Sequence, residues 1–279
     1  MYLKKTEFWK KGLPYVGNKN RKAQQIIDAL PKAKRLVDVF GGSGAISLAA
    51  AASNRWETVI YNDKRTTVVN LLSALMENNK SIDLDLYTHI TREQFLDWRD
   101  NQPDSIERTL VLLCWSFSNS EKSYVWAKDK EQIRLDLIQK YIVDGDHNLS
   151  IKDRHQKYLD SKNPIRLPPI ERIKMLELIQ KAHVSLPIIY LNMDYSEIPI
   201  GENDVIYCDP PYINTPYRYG DFDDNRFYEW LNNLPTNNIF ISERYILPHT
   251  EVFKDLGIKE SFANIRNTNH ELLLKYKKY

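Results

Sequence analysis

Short apolar runs, which are typical of buried strands, alternate with segments of helical period near both ends of the chain. Strands are predicted at RLVDVF (35–40), TVIY (58–61), PIIYLN (187–192), DVIYC (204–208) and NIFIS (238–242). Helices are predicted at 43–53, at about 64–79, and near NRFYEWLNNL (225–234) and HTEVFKDLG (249–257). Strands that alternate with helices indicate a parallel α/β sheet.

The C-terminal pattern differs from this alternation. Residues 259–278, KESFANIRNTNHELLLKYKK, predict two strands around a polar turn at Asn267–Asn269. Such a pair would close the parallel sheet with an antiparallel hairpin.

Residues from about 85 to 182 contain helical periods without an obvious buried strand. The helical segments are REQFLDWRD (92–100), SIERTLVLLCW (105–115), EQIRLDLIQKYI (131–142) and PPIERIKMLELIQKA (168–182). The pattern therefore predicts a sheet domain made of 1–84 and 183–279, with a mostly helical domain, 85–182, inserted between its two halves.

Composition places the chain among ordinary globular proteins, with 42% apolar and 27% charged residues in 279. No apolar stretch has the length of a membrane span, and the first residues lack a signal-peptide core. The two cysteines, Cys114 and Cys208, match no metal or redox spacing. We therefore expect a cytoplasmic protein without a membrane partner or a metal site.

Positive charge is concentrated in two segments. Residues 1–35 contain ten Lys or Arg against two acids, and residues 147–168 carry Lys152, Arg154, Lys157, Lys162 and Arg166. Local basic excess favours a polyanion such as nucleic acid, although charge alone also fits ordinary solvated surfaces.

A glycine turn follows the first predicted strand. The turn is Phe40-Gly41-Gly42-Ser43-Gly44, and it leads directly into a helix, while Asp63 comes after the second strand, about twenty residues later. This arrangement is typical of a nucleotide-binding fold, whose acid accepts ribose hydroxyls. Because Ser47 occupies the third glycine position of the dinucleotide pattern, another adenosine-containing cofactor is favoured over a nicotinamide.

A second candidate motif, Asp209-Pro210-Pro211-Tyr212, follows the strand DVIYC. Most Pro-Pro pairs after a strand are simple turns. However, the four residues combine a carboxylate, a rigidly held carbonyl and a flat ring, which is a combination suited to gripping a nitrogen-rich base.

Together, the Phe-x-Gly-x-Gly and Asp-Pro-Pro-Tyr motifs resemble the N6-adenine DNA methyltransferases. Their order is similar to that of the Dam-type (D12 class, α-group) family, whose first motif matches Tyr15-Val16-Gly17-Asn18-Lys19 and whose last strand resembles ELLLKYKK. The match covers about 1–80 and 185–279.

The resemblance implies a Rossmann-like sheet that binds S-adenosyl-L-methionine, and an enzyme that methylates adenine N6 in double-stranded DNA, with a cognate restriction endonuclease as a partner in some systems. The implied catalytic residues are Asp209, Pro210, Pro211 and Tyr212. The implied cofactor residues are Tyr15, Lys19, Phe40, Gly41, Gly42, Ser43, Gly44, Asp63, Asp194 and Asp209. Asp194 has an alternative interpretation, since it could simply cap the turn after its strand.

The insert departs from the best-known members of the family. It lacks their Asn-Gly signature and the following Phe-Asn-Val-Pro stretch, and has WSFSNSEKSYVW at 115–126 instead, so the GATC target is not carried over. The stretch 116–124 either packs the insert's own core or meets DNA. Candidate DNA contacts are Ser118, Asn119, Lys122, Lys152, Arg154, Lys157 and Arg166.

The chemistry explains why these residue types are needed. Adenine N6 is a poor nucleophile, and Asp209 with the Pro210 carbonyl offers two acceptors for its N–H bonds, while Tyr212 offers a stacking face. The base must first leave the duplex. Three alternatives remain: methyl transfer to an RNA base or to protein glutamine, a non-catalytic DNA-binding protein of this fold, and a nicotinamide dehydrogenase, which neither motif supports.

Overall fold

The computed structural model describes residues 12–77, 82–182, 186–211, 222–258 and 270–279. Contacts within it divide the chain into two compact units. One unit combines Met1–Asn18 with Thr66–His183, and the other combines Lys19–Arg65 with Val184–Tyr279. Below, these are called the helical unit and the sheet unit.

The sheet unit contains a seven-stranded sheet among the described residues. Its strands are β1 (Arg35–Asp38), β2 (Thr58–Asn62), β3 (Ile188–Leu191), β4 (Val205–Cys208), β5 (Ile239–Glu243), β6 (Thr250–Ile258) and β7 (His270–Tyr276). The spatial order is β3-β2-β1-β4-β5-β7-β6. The five neighbouring strands β3, β2, β1, β4 and β5 run parallel to one another, whereas β7 runs antiparallel to both β5 and β6. The predicted Rossmann-like α/β fold is therefore confirmed.

The described part of the sheet unit contains the helices α1 (Ala23–Ala29), α2 (Ala45–Ser53) and α9 (Asp224–Asn233). The core of the sheet unit is apolar, and it contains fully buried strand residues such as Val37, Ile206 and Ile241. Helix α2 is built almost entirely of small residues, which lets it pack closely, and seven of its residues are buried.

The helical unit contains α3 (Thr66–Met76), α4 (Arg92–Asp100), α5 (Ile106–Trp115), α6 (Lys128–Ile138), α7 (Ile151–Leu159) and α8 (Pro168–Gln180). Short 3₁₀ turns at Leu84–Tyr87 and Phe117–Asn119 and a π-helical turn at Gln139–Val143 connect them. Helix α3 packs against α5 and α8, so the second segment of the helical unit starts at Thr66. The predicted domain division, with an insert at 85–182, stays a prediction.

One predicted element is wrong. The segment HTEVFKDLG, expected to be helical, forms strand β6, because its backbone pairs with β7 along the sheet edge. The register shifts between Val252 and Lys254 and between Asp255 and Ile258. Such irregularities break the two-residue alternation by which a strand is recognised, and tertiary pairing overrides local propensity.

The strand predicted at ELLLKYKK is confirmed as β7. Its expected partner and the polar turn at Asn267–Asn269 lie outside the described residues. No helix in the ranges given above is both long and apolar enough to cross a membrane.

The turn between β1 and α2 depends on close packing against an aromatic ring. The Tyr61 hydroxyl on β2 donates to the Gly42 carbonyl at 2.8 Å, and a Cβ added at Gly41 would overlap the Tyr61 ring. Tyr61 is itself fully buried and meets Tyr190 of β3 edge to face. The ring has little room to move, so only glycine fits at position 41.

We predict that Gly41→Ala lowers the free energy of unfolding by about 1–3 kcal/mol, the range found when a packed core is overfilled. Denaturant unfolding monitored by circular dichroism measures this change. Gly201→Ala is the matched control, because its added Cβ would lie 3.4 Å from the flexible Arg35 guanidinium. Equal stability of the two variants would contradict the packing argument.

Candidate active site at the carboxyl ends of the parallel strands

The order of the parallel strands reverses between β1 and β4, and ligands of open α/β sheets bind outside the carboxyl ends of the strands at such a switch point. The glycine turn leaves β1 at this place. Gly42 has a φ of 45° and Gly44 a φ of 72°, which glycine adopts without steric penalty. Gly44 also caps α2, and its N–H donates to the Gly41 carbonyl at 2.8 Å. The backbone can therefore approach a ligand closely.

Asp63, just beyond β2, lies directly against this turn. Its Oδ2 accepts the Gly42 N–H at 2.9 Å, and its Oδ1 accepts the Arg65 N–H at 2.8 Å. Burial raises the pKa of Asp63, and these two hydrogen bonds oppose the rise. An ionised carboxylate oxygen accepts more than one hydrogen bond, so Asp63 retains acceptor capacity for a ligand.

Asp38, the last residue of β1, is a buried acid that belongs to neither the glycine motif nor the Asp-Pro-Pro-Tyr motif. It is 1% exposed, and the Ser47 hydroxyl of α2 donates to its Oδ2 at 2.6 Å. Burial raises the pKa of Asp38 to about 7, the Ser47 hydrogen bond opposes the rise, and the negative charges of Asp209 and Asp63 add to it. The sequence signal for this residue was an acid inside the predicted strand RLVDVF, a segment that directly precedes the glycines.

Asp209 follows β4 and is held by an ion pair with Lys19. Lys19 Nζ lies 2.7 Å from Oδ1 and 2.6 Å from Oδ2 of Asp209, and 3.2 Å from Oε1 of Glu271 on β7. Burial alone would lower the pKa of Lys19. Its interactions with Asp209 and, to a smaller extent, with Tyr207 and Glu271 outweigh burial and raise this pKa. Lys19 is therefore a buried cation that is fully charged at neutral pH.

The rest of the Asp-Pro-Pro-Tyr motif is described only in part. Pro210 is buried and Pro211 half-buried, directly beyond the carboxyl end of β4. Tyr212 lies outside the described residues. Its predicted stacking role therefore stays a prediction.

Asp194 caps the 3₁₀ turn Tyr195–Glu197, as its alternative interpretation expected. Its carboxylate accepts the Ser196 N–H at 3.1 Å, the Ser196 hydroxyl at 2.7 Å and Arg226 Nη2 at 2.8 Å. Burial acts to raise the pKa of Asp194, but these hydrogen bonds lower it overall. The cofactor role of Asp194 stays a prediction.

An aromatic cluster beside the glycine turn was not anticipated from the sequence. The Phe40 ring lies 5.6 Å from Tyr195, 5.8 Å from Phe222 and 5.8 Å from Phe227. Arg226 stacks over the Tyr195 ring at 5.2 Å, so its guanidinium bridges this cluster and Asp194. The cluster places an apolar aromatic surface beside the carboxyl end of β1.

Two further predicted cofactor residues, Ser43 and Tyr15, form hydrogen bonds with residues close to them in sequence. Ser43 is buried, and its hydroxyl accepts the Ala45 N–H at 3.3 Å in the first turn of α2. Tyr15 lies in a turn of the helical unit, where its carbonyl accepts Asn18 Nδ2 at 2.7 Å.

The predicted DNA contacts of the loop 116–124 lie on a firmly anchored segment of the helical unit. Ser118 and Asn119 have φ values of 53° and 58°, and Asn119 Nδ2 donates to the Leu113 carbonyl at 2.9 Å. Arg172 donates to the carbonyls of Cys114 and Ser116, each at 2.7 Å. Ser118 and Lys122 are exposed.

The basic segment on α7 and beyond gives a mixed result. Lys152, Lys157 and Arg166 are exposed, and Arg166 also pairs with Glu171 at 2.8 Å. Arg154, in contrast, is 2% exposed and donates to Asp85 and to the Ile142 carbonyl. The structure therefore contradicts the predicted phosphate contact of Arg154, because this guanidinium faces the interior of the helical unit.

Comparison with known proteins identifies relatives. A model of the D12 class N6 adenine-specific DNA methyltransferase family matches residues 15–232. The Type II methyltransferase M.FokI of Planomicrobium okeanokoites is 23% identical to this chain over 295 residues, an alignment that covers 99% of this chain and 39% of M.FokI. The chain thus spans about two fifths of the length of that relative.

Two solved structures show weak overall similarity. A conserved hypothetical protein of Streptococcus pyogenes has a TM-score of 0.33 at 10% identity, covering 91% of this chain and 92% of its own. An Escherichia coli structure that carries the name methyltransferase yhhF has a TM-score of 0.36 at 10% identity, covering 96% and 92%. The fold assignment rests on the strand order described above.

The burial of Asp38 predicts a specific pH dependence of stability. Because its pKa in the folded state lies above the unfolded value near 3.9, the folded state binds this proton more tightly, and its stability falls as the pH rises toward about 7. Each unit of pKa difference corresponds to about 1.4 kcal/mol.

We therefore predict that the free energy of unfolding of Asp38→Asn rises relative to that of the wild type as the pH increases from 5 to 8. The asparagine can still accept the hydrogen bond from the Ser47 hydroxyl. Thermal unfolding of both proteins across that range measures the difference, in which the contributions of other groups largely cancel. A difference that is constant with pH would contradict the burial of an ionisable carboxyl at this position.

Proposed function

Because the chain belongs to the D12 class N6 adenine-specific DNA methyltransferase family, we propose that it transfers a methyl group from S-adenosylmethionine to N6 of a flipped-out adenine in duplex DNA. The observation that carries the proposal is Asp209, held by Lys19 at 2.6 Å, directly before Pro210 at the switch point of the sheet.

The charges at this site suit S-adenosylmethionine. Asp38, Asp63 and Asp209 surround the glycine turn closely enough that both Asp63 and Asp209 influence the pKa of Asp38. The cofactor presents an ammonium group, a sulfonium, ribose hydroxyls and an exocyclic amine, all of which carboxylates attract or accept. A nicotinamide dinucleotide would instead bring two phosphates to this acidic surface.

We assign the cofactor contacts on the same grounds. Asp63 would accept the ribose hydroxyls, the aromatic cluster around Phe40 would hold the adenine with Asp194 nearby, and Lys19 would lie at the methionine end. When bound, S-adenosylmethionine supplies a methyl group on a positively charged sulfur, which makes that carbon electrophilic.

The chain's own residues prepare the acceptor. The lone pair of adenine N6 is delocalised into the ring, so the nitrogen attacks poorly. In our proposal one N–H of N6 donates to Asp209 and the other to the Pro210 carbonyl, which proline's restricted φ holds in place. Two acceptors set at an angle favour a tetrahedral nitrogen, and most of the acceleration then comes from position and electrostatics.

Base flipping follows from the same geometry, because a paired adenine keeps N6 inside the duplex. We assign DNA contact to the helical unit, with the exposed Lys152, Lys157 and Arg166 on phosphates and the anchored loop 116–124 near the bases. The restriction endonuclease and the cytoplasmic location implied by the resemblance stay predictions.

One test of the proposed function concerns Asp209. Asp209→Ala removes an acceptor that acts in the transition state, so we expect the single-turnover rate of duplex DNA methylation to fall by about 10²–10³. The matched control is Asp204→Asn at the other end of β4, about 15 Å away along the strand. Asp204 is also buried and is paired with Arg35 at 2.5 Å.

Asp204→Asn should lower the melting temperature but leave the rate unchanged when both are assayed well below unfolding. An Asp209→Ala protein that melts as a folded domain and methylates at the wild-type rate would contradict the proposed function.

Another test of the proposed function concerns phosphate binding. Lys157→Ala and Arg166→Ala should each weaken DNA binding to a similar degree on all sequences, and each should reduce the slope of log K against log salt by about 0.9, the value for one lost phosphate contact. Fluorescence anisotropy at several salt concentrations measures both. Lys128→Ala, which removes an exposed charge of α6, is the charge-matched control. A changed sequence preference with an unchanged salt slope would contradict the phosphate assignment.

A further inference from the structure

Glu271 is a buried acid of the site, and it begins the stretch ELLLKYKK that resembles the last strand of the family, although the resemblance gives it no role. It is the second residue of β7, and its side chain is 9% exposed. Its Oε1 lies 3.2 Å from Lys19 Nζ. Burying a carboxylate without a partner is strongly unfavourable, so this contact with Lys19 is part of what allows a charge at this position.

Lys19 connects Glu271 to Asp209. Its ammonium group has three N–H donors; both oxygens of Asp209 lie within 2.7 Å of Nζ, and Glu271 approaches from another strand. The side chains of Lys19, Asp209 and Glu271 are 8%, 18% and 9% exposed, respectively, so water screens the three charges little. The ammonium group is thus bracketed by carboxylates from β4 and β7.

Such bracketing matters because a lysine side chain is long and has many rotamers. A single contact with Asp209 would let the two side chains move together. Glu271 lies on a strand whose register with β5 is fixed by antiparallel pairing, with Leu272 opposite Glu243. It therefore gives Lys19 a second, rigid point of attachment that does not belong to the catalytic loop.

We propose that Glu271 is a positioning residue for methyl transfer: by holding Lys19 from β7, it fixes the orientation of the Asp209 carboxylate toward the adenine N6. This role rests on the proposed function. Glu271 touches neither the base nor the methyl donor in it, and acts only through Lys19. Displacement of Asp209 by about 1 Å would be enough to slow the reaction strongly, since misplacement of this size can cost about 10²-fold in rate.

The test is a double-mutant cycle between Glu271→Gln and Lys19→Met. In the wild-type background we expect Glu271→Gln to lower the single-turnover rate of duplex DNA methylation about 10-fold or more, with the Kd for DNA unchanged. In the Lys19→Met background, Glu271→Gln should cause no further loss of rate, because the residue through which it acts is already gone.

Stability gives a second readout that requires neither DNA nor methyl donor. Glu271→Gln should lower the melting temperature of the wild type, since it weakens an ion pair. In contrast, it should raise the melting temperature of Lys19→Met, in which Asp209 and Glu271 are two buried acids without their cation. A residue with a merely structural role would lower both melting temperatures alike.

Glu271→Asp keeps the charge and should retain more of the rate than Glu271→Gln, and this comparison decides the matter if Lys19→Met does not fold. Glu251→Gln is the matched control, because Glu251 of β6 pairs with Lys277 at 2.7 Å in the same hairpin but is exposed. We expect it to methylate at the wild-type rate.

A Glu271→Gln protein with the wild-type rate, or an equal rate loss in both backgrounds, would overturn the proposal. Failure of the proposed function is a separate result: the wild type would then methylate no DNA, while the melting temperatures would still decide whether Lys19 couples Glu271 to Asp209.

Discussion

A lysine buried between two carboxylates is the interaction on which the arrangement of this site depends. Lys19 is 7% exposed and contacts Asp209 after β4 and Glu271 on β7. Removing one partner from a buried ion pair typically destabilises a protein by about 3–5 kcal/mol, because the remaining charge is left without compensation. The three residues therefore constrain each other, and they bring Lys19, four residues before α1, to the acid that begins the Asp-Pro-Pro-Tyr motif.

The parallel sheet supplies the remaining acids by a common geometry. Asp38, Asp63 and Asp194 follow or end β1, β2 and β3, and the carboxyl ends of parallel strands lie at one edge of a sheet. Acids collected at one edge repel each other: burial raises the pKa of Asp38 to about 7, and the negative charges of Asp209 and Asp63 add to that rise. A ligand with positive charge and many hydrogen-bond donors relieves this repulsion, and S-adenosylmethionine is such a ligand.

Much of this site was predictable because its residues sit in short motifs next to apolar strands. The glycine turn, Asp63 and Asp209 are of this kind. The role of Glu271 was not predictable, although this residue begins the matched stretch ELLLKYKK, because its partner Lys19 lies at the other end of the chain and no spacing rule connects the two. Strand β6 was missed because its register shifts hide the alternation. Arg154 was misassigned from composition alone, although Ile151, Arg154 and Tyr158 follow a helical period that places the arginine on the buried face of α7.

Identification of the methylated acceptor distinguishes adenine methylation in DNA from the alternative reactions. Purified protein would be incubated with methyl-labelled S-adenosylmethionine and, in parallel, with duplex DNA, RNA and a glutamine-containing protein substrate, and the digested products would be separated by mass spectrometry. We predict label only in the DNA sample and only as N6-methyldeoxyadenosine. Label in cytosine, in RNA or in glutamine instead, or binding of DNA without any methyl transfer, would contradict it.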